Sequence, residues 1–464
     1  MVTVVGGGLA GCEAAFRLAG RGHRIRLIEM RPGTMTLAHQ SGGLAELVCT
    51  NSLKSEDPTN AHGQLKREMA ALGSLLLESA GRSRVPAGAA LAVDRRLFSD
   101  EMTQRIREHP RIQIEEAEVR EIPARPAIIA TGPLTSDALS VAIRAELGDD
   151  GLAFFDAIAP IVEADSLDRD VVFAQGRWDQ APDYLNCPLS RSEYERFVVR
   201  LVEAEVHGGG HEWDRVPYFE GCLPVEELAT RGPETLRFGP MRPIGLTDPR
   251  SGTRPHAVVQ LRREDRAGQM WNLVGFQTRL RIGEQRRVFR TIPGLEEAEF
   301  LRFGSIHRNS YLNFPGRLTR PGALENRPDL LFAGQLTGVE GYTESAASGI
   351  LAGINLDRVL SGLEPAIPPG TTVLGGLYRY LAESDPRHFQ PMNANWGLVD
   401  PLARRIRDRK AKRKELARRA MDDFRRWMAD VGIGPARTSR DSDALATWPA
   451  VGPPPAPGAK ATLA

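Results

Sequence analysis

Six residues at the start of the chain have the types and spacing to hold a dinucleotide. Gly6-Gly7-Gly8-Leu9-Ala10-Gly11 follows a short apolar run, Val2-Thr3-Val4-Val5, and precedes a helical stretch from Cys12 to Leu18. A second apolar run, Arg24-Ile25-Arg26-Leu27-Ile28, ends in Glu29. Gly6 permits a tight turn, Gly8 lets the backbone approach a pyrophosphate, and Gly11 lets helix and strand pack closely. The helix N-terminus then faces the phosphates. Glu29, about 20 residues on, is placed to accept the ribose hydroxyls. A glycine-rich turn alone is a weak sign, but strand, turn, helix, strand and acid in order make a strong one. This unit reads as a dinucleotide site.

Thiols are the second source of chemistry. The chain has four cysteines, Cys12, Cys49, Cys187 and Cys222. No two are spaced as CxxC, and no His/Cys cluster has zinc-ligand spacing, which argues against a dithiol reductase and gives no metal site. Cys12, among small residues of the first helix, reads as core filling, and Cys187, in Tyr184-Leu185-Asn186-Cys187-Pro188-Leu189, as structural. Cys49 and Cys222 differ. Cys49 stands where an apolar run, Leu47-Val48, gives way to Thr50-Asn51-Ser52-Leu53-Lys54. Cys222 follows Gly221 and precedes Leu223-Pro224, so it rides on a bend. Burial alone remains the commoner fate of a free cysteine. A reactive thiolate needs electropositive neighbours, for which Lys54 and Arg242 are the sequence candidates.

Two later stretches choose between FAD and NAD. Ala127-Ile128-Ile129-Ala130-Thr131-Gly132 reads as a buried strand ending in a small-residue turn, and Asp329-Leu330-Leu331-Phe332-Ala333-Gly334-Gln335 as another. The latter leads through Gly338-Val339-Glu340-Gly341-Tyr342 into a helix of small residues, Glu344 to Gly353. Such a helix can approach a flat ring, and its N-terminal end favours the charge of a reduced flavin; ordinary helix–sheet packing accounts for the small residues equally well. Fingerprint, middle ATG and late AG-plus-helix together resemble FAD-dependent oxidoreductases, with Gln335 where many of them carry Asp. The expected FAD-binding residues are Gly6, Gly7, Gly8, Leu9, Ala10, Gly11, Glu29, Gly132, Gly334 and Gln335.

The elements that position these residues suggest a split domain. At 464 residues the chain is long enough for two domains. A Rossmann-like α/β FAD-binding domain is expected over residues 1–183 and again over 321–430, ending in a basic helix. An inserted α+β domain, 184–320, would carry Cys222 and leave a cleft between thiol and flavin. The Pro- and Ala-rich tail, 433–464, is expected to be disordered. Net charge is +1, so any nucleic-acid contact must come from local patches. No run reaches the roughly 18 apolar residues of a membrane span, and no secretory leader opens the chain, so a cytoplasmic location is expected.

The sequence resembles the TrmFO family, the folate- and FAD-dependent tRNA (uracil-5-)-methyltransferases. The resemblance rests on Gly6 to Gly11, Leu47 to Leu53, Tyr184 to Leu189, Tyr218 to Glu227, Gly239 to Leu246, Asn272 to Thr278, Gly283-Glu284-Gln285, His307-Arg308-Asn309 and Gly334 to Gly353. These runs extend over nearly the whole chain to about residue 400. The resemblance implies that methylenetetrahydrofolate supplies a carbon to C5 of a T-loop uridine, position 54, in tRNA. It implies further that reduced FAD supplies the hydride and that NADPH or NADH reduces the flavin. Cys222 then corresponds to the nucleophile that adds to uracil C6, and Cys49 to a second functional cysteine beside the flavin, although sequence does not settle the division of roles. Glu340, Tyr342 and Glu344 are the candidates to take the C5 proton. A homodimer is left open.

RNA binding requires phosphate contacts. Residues 262–290 hold eight arginines against three acids, with Trp271 and Phe276 interleaved. Arginine forks suit phosphates and aromatics suit flipped bases, whereas a solvated strand face is the plain reading. A second basic run, Arg404 to Arg419, suits either an RNA backbone or a soluble helix surface. His307, Arg308 and Asn309 are candidates to line a folate or uracil pocket. Three alternatives share these features. A ribosomal-RNA methylating relative would use the same chemistry, a GidA-type protein would be longer with a helical C-terminal domain, and a non-catalytic FAD-bearing RNA-binding protein would have no use for both cysteine motifs.

Overall fold

The computed structural model describes residues 1–36, 38–148, 152–207 and 223–434. Cys222, and all but the first two residues of the Pro-rich tail, lie outside the described residues. The first sheet is built on Val2–Val5, which pairs in parallel with Ile25–Glu29 on one side and Ala127–Ile129 on the other. Ile112–Glu116 and Arg327–Phe332 extend it in parallel, and Ala323–Leu324 closes one edge antiparallel. Its strands are near-continuous apolar runs because both faces are covered. Alternate residues divide between two cores. Val4, Leu27, Ile128 and Leu331 pack with the helices Leu9–Gly20 and Tyr342–Leu360, while Val5, Ile129, Leu330 and Phe332 pack with Leu139, Ile143 and Phe314.

A second six-stranded sheet is antiparallel throughout and runs in the order Phe173–Ala174, Tyr184–Leu189, Ala257–Arg263, Met270–Leu273, Ile161–Glu163, Phe300–Arg302. It alternates in the way a one-sided sheet must. Leu185, Cys187, Leu189, Val259, Leu261, Trp271 and Leu273 face a core closed by the helices Arg191–Val202 and Ile282–Phe289. The other face carries polar side chains in register, Asn186 opposite Gln260, and Tyr184 and Asn272 opposite Arg262. A pair of antiparallel strands, Leu152–Ile158 and Ser305–Tyr311, leads out to this sheet and back.

The final helix, Arg409–Asp430, begins at an Asp408 cap whose carboxylate accepts from Ala411 N–H. Its apolar stripe, Leu416, Met421, Phe424 and Trp427, is buried. Each such side chain contributes roughly 1.5–3 kcal/mol of burial. The stripe docks beside the helix Ala61–Ala71, with Met421 against Gln64, and leaves the charged faces outward.

Candidate active site and cofactor cradle

The glycine turn is as crowded as its role demands, except at one position. A Cβ on Gly11 would lie 1.8 Å from the Gly6 carbonyl oxygen, and one on Gly6, at φ +98°, would lie 2.6 Å from the Ala130 oxygen. The turn therefore closes only with glycine at both places. A Cβ on Gly8 would meet nothing within 4 Å. Gly8 caps the helix Leu9–Gly20 without side-chain help, so the first N–H groups of that helix face open space. Gly132, at φ +69°, is equally open above its turn. A cavity of about 520 Å³, its mouth included, begins here. Its walls include Gly6, Gly8, Glu29, Arg31, Glu118 and Thr135.

Glu29 ends its strand buried and ionised. One carboxylate oxygen accepts from Gly7 N–H at 2.7 Å, and the other accepts from the backbone and guanidinium of Arg31 at 3.1 and 2.9 Å. Burial alone would raise its pKa, but Arg31 and these hydrogen bonds outweigh it and hold the carboxyl below its ordinary value. A lone pair remains on the oxygen that accepts from Gly7 for a ribose hydroxyl. An N-terminal helix end for pyrophosphate and an ionised acid in the adjoining cavity fit the adenosine half of FAD. Arg31, two residues past the recognised acid, was not singled out from sequence.

The small-residue helix packs closely on the first helix. A Cβ on Gly349 would lie 2.1 Å from the Ala10 oxygen, and one on Gly353 would lie 3.1 Å from the Ala14 oxygen. These glycines let Tyr342–Leu360 pack against Leu9–Gly20. Gly334, at φ +80°, starts the approach to that helix and donates its N–H to Ser348 Oγ. Gln335 donates from Nε2 to Glu340 at 2.7 Å.

The helix N-terminus also builds the Cys49 loop. Tyr342 Oη accepts from the N–H groups of Cys49 and Thr50, at 2.7 and 3.2 Å. Arg95 donates to the Leu47 and Cys49 carbonyls, and Arg302 to the Val48 carbonyl at 2.9 Å. Arg95 is itself gripped by buried Glu264 at 2.6 Å. The electropositive neighbours of Cys49 are therefore Arg95 and Arg302, 46 and 253 positions away, and sequence reading missed both. Of the two residues it suggested for a reactive thiolate, Lys54 pairs with Glu344 at 3.4 Å, and Arg242 is exposed on the second sheet's side of the molecule.

Glu344 is fully buried. Burial would raise its pKa, yet Lys54, His62 at 3.1 Å and the Ala394 N–H hold it well below the usual carboxylate range. Tyr342 is displaced the other way, upward, mainly by burial. Of the three candidate bases, Tyr342 braces the Cys49 loop, and Glu344 holds Lys54, His62 and the Ala394 N–H. Lys66, donating to the Ser55 and His62 carbonyls, is pushed down to about 7 by burial.

The arginines of 262–290 are spent on the fold. Arg262 donates to Asn51 and Thr50 at 2.8 and 2.6 Å, Arg263 lies over Trp271, and Arg286 lies over Phe303. Arg279 pairs with Glu227, Arg281 with Glu205 and Arg287 with Glu284. Arg266 and Arg290 donate to backbone carbonyls. Each of the eight is thus engaged by the protein, although Arg266, Arg281, Arg286 and Arg287 remain exposed. Lys412, Arg409 and Arg413 instead line a second cleft of about 1340 Å³, its open mouth included, with His62, Ala394 and Trp396 on its other wall. Asn309 is buried on the strand Ser305–Tyr311. The side chains of His307 and Arg308 fall outside the description. Cys222 does too, but the helix three residues beyond it, Val225–Thr230, is pinned by buried Glu226, which accepts from Thr278 and Arg279. Among the described residues no group of His, Cys, Asp or Glu could hold a metal ion.

A parallel sheet with this glycine cradle, joined to an antiparallel unit, defines a Rossmann-like FAD flavoprotein. The fold is that of Aquifex aeolicus GidA, matched in its form I crystal with a TM-score of 0.64 at 17% identity, over 92% of this chain and 75% of that one. A family model described as glucose inhibited division protein A matches residues 1–364. A protein of Geobacter sulfurreducens named Methylenetetrahydrofolate--tRNA-(uracil-5-)-methyltransferase TrmFO is 55% identical over 433 residues, 93% of this chain and 99% of its own. A namesake in Thermus thermophilus is 52% identical over 94% of this chain and 97% of its own. The chain belongs to the TrmFO family, within the wider GidA group.

Proposed function

We propose that this protein transfers the one-carbon unit of methylenetetrahydrofolate to C5 of a tRNA uridine, position 54 of the T loop. The observation that carries this reading is 50–55% identity to proteins named for that activity, over more than nine-tenths of the chain. The cradle at Gly6–Gly11 and Glu29 supports FAD. Bound FAD supplies the hydride that completes the methyl group and is reduced in turn by NADPH or NADH.

The chain's own residues do the rest. Cys222 Sγ forms a bond to uracil C6, and the electron pair displaced from the C5–C6 double bond makes C5 nucleophilic. C5 then bonds to the methylene carbon as one of that carbon's bonds to a folate nitrogen breaks. Loss of the C5 proton expels the second folate nitrogen and leaves an exocyclic methylene at C5, and hydride addition to that carbon restores the C5–C6 double bond as the C6–Sγ bond breaks and frees the thiolate. Cys49, on a loop fixed by Tyr342, Arg95 and Arg302, stands on the flavin side. The residues expected to hold FAD are Gly6–Gly11, Glu29, Gly132, Gly334 and Gln335, to which the cavity lining adds Arg31 and Thr135. The matching division of the chain is a flavin-binding unit at 1–183 and 321–430 around an inserted unit. Sheet membership of Ile161–Glu163 supports moving the handover upstream to Leu152–Ile158. No helix among the described residues is long and apolar enough to cross a membrane, and a tRNA substrate favours a cytoplasmic location.

The test follows the C5 proton. Transfer RNA carrying tritium at uridine C5 should release it only with enzyme and methylenetetrahydrofolate present. Cys222→Ala should release none while keeping FAD bound and reducible by NADPH. Release by that variant at the wild-type rate would move the nucleophile elsewhere, and no release by the wild type would refute the function.

A further inference from the structure

Trp178 stands in a conformation that a bulky residue seldom adopts. Its backbone lies at φ 58° and ψ 46°, the left-handed region, and its side chain is 66% exposed. Such an outlier is held only where the surroundings over-determine it. Arg177 supplies that restraint. Its guanidinium donates to Gln260 Oε1 at 2.9 Å, to the Ile244 carbonyl and to the Arg242 carbonyl at 2.7 Å. Gly245, at φ +81°, completes the seat. A Cβ there would lie 3.2 Å from both Cδ2 and Cε2 of the indole. Those atoms form the ring-fusion bond, which can be approached only across a face. One face of the indole therefore rests on Gly245, and the exposure belongs to the other.

Among the described side chains, the charge near this ring that lacks a carboxylate partner is positive. Arg242 is exposed and has no carboxylate partner among the described residues, and Arg177 is held by neutral acceptors alone. The nearby Asp183 carboxylate is turned to the Gly88 N–H, and the Asp179 side chain lies outside the description. The patch also leads toward the Cys49 loop. Gln260, which holds Arg177, shares a strand face with Arg262, about 7 Å further along. Arg262 reaches Thr50, the residue after Cys49.

We propose that this patch binds one unpaired nucleotide of the RNA substrate near the reacting uridine, its base stacked on the open face of Trp178 and its phosphate on Arg242. The inference rests on tRNA being the substrate. Unpaired bases are held in just this way, by an aromatic face with a cation beside it.

Trp178→Asn tests the stack without disturbing the fold, since Asn accepts the left-handed backbone. Filter binding of an unmodified tRNA transcript, at several salt concentrations, is the readout. The variant should bind roughly 5- to 150-fold more weakly, the range of one base–aromatic stack. Its salt dependence, thermal stability and rate of flavin reduction by NADPH should be unchanged. Trp178→Phe should recover most of the affinity, and Arg242→Gln should lower the log–log salt slope by about 0.7. Wild-type affinity in Trp178→Asn, an equal loss in Trp178→Phe, or a change in oligomeric state in place of RNA binding would each overturn the proposal. If the wild-type protein binds no tRNA, the functional reading fails and takes this site with it. If the wild type methylates tRNA and Trp178→Asn does so equally well, this site alone is refuted.

Discussion

The two stretches richest in arginine meet opposite fates. In residues 262–290 every guanidinium is engaged by the protein, through carboxylates, carbonyls, amides or aromatic rings. From Arg404 to Lys414 none of the cations has a carboxylate within ion-pair distance among the described residues, and three of them line the wide cleft beside His62. The first stretch has acids interleaved and folds as sheet and short helix, where cross-strand and i,i+3 partners come within reach. Up to Lys414 the second has only Asp408 among its cations, and that side chain is committed to capping the helix; further on, Arg418 pairs with Glu415 and Asp422, and Arg419 donates to backbone carbonyls. A count of positive residues therefore says little about where an anionic partner will sit. What matters is which cations the fold has left unneutralised.

That contrast predicts stability effects from the first stretch and salt effects from the second. The largest effect should come from removing the buried Glu264 carboxylate, Glu264→Gln, which leaves half-buried Arg95 without its counter-ion and loosens the Cys49 loop. Breaking one half of a buried pair typically costs about 3–5 kcal/mol, so urea unfolding should shift by that amount and carbon transfer should fall with it. An unchanged midpoint would show that the pair is not a brace.

Glu344→Gln is the next largest, at about 3 kcal/mol near neutral pH by the same argument, and it has a pH signature. The carboxyl is held below its ordinary value, so its contribution is fully present above the unfolded-state pKa, about 4.3. It is lost as pH falls through the acid range toward the folded-state value. The stability gap between wild type and variant should thus narrow below about pH 4.5, close to that unfolded-state value. A gap that stays constant down to about pH 3 would contradict an ionised Glu344.

Smaller in energy, but sharper as a discriminator, is a pair of charge variants assayed by tRNA binding against salt. Neutralising Arg409, Lys412 and Arg413 together should lower the log–log slope by about 2 units if all three meet phosphates. Neutralising Arg286 and Arg287 should leave the slope unchanged and alter stability by at most about 1 kcal/mol, as for any exposed pair. The reverse result would return RNA binding to the stretch that the structure assigns to bracing.

The parts of the site legible in the sequence are those whose physics is local. The glycine turn, its helix and Glu29 lie within 29 residues, and Gly11 answers to a contact inside that unit, the Gly6 carbonyl. The parallel sheet was readable because strands buried on both faces must be continuous apolar runs. The Cys49 loop was not readable in this way. Its charged neighbours Arg95 and Arg302 come from distant segments, and nothing near either residue marks it as a partner. Tyr342 was noticed for its place before the small-residue helix, but as a candidate base. Only the fold shows its oxygen accepting two backbone N–H groups. The small residues of that helix had two compatible physical explanations, of which the structure shows helix packing.

The central claim is that a folate-derived carbon ends on C5 of a tRNA uridine, and one measurement tests it most directly. The FAD-loaded protein is incubated with an unmodified tRNA transcript, NADPH and methylenetetrahydrofolate labelled in its methylene carbon, and the label is mapped by nuclease digestion. The account predicts label in a single nucleotide, 5-methyluridine at position 54 of the T loop, dependent on both NADPH and folate. Label in any other nucleotide, or none in the presence of bound and reducible FAD, would contradict it.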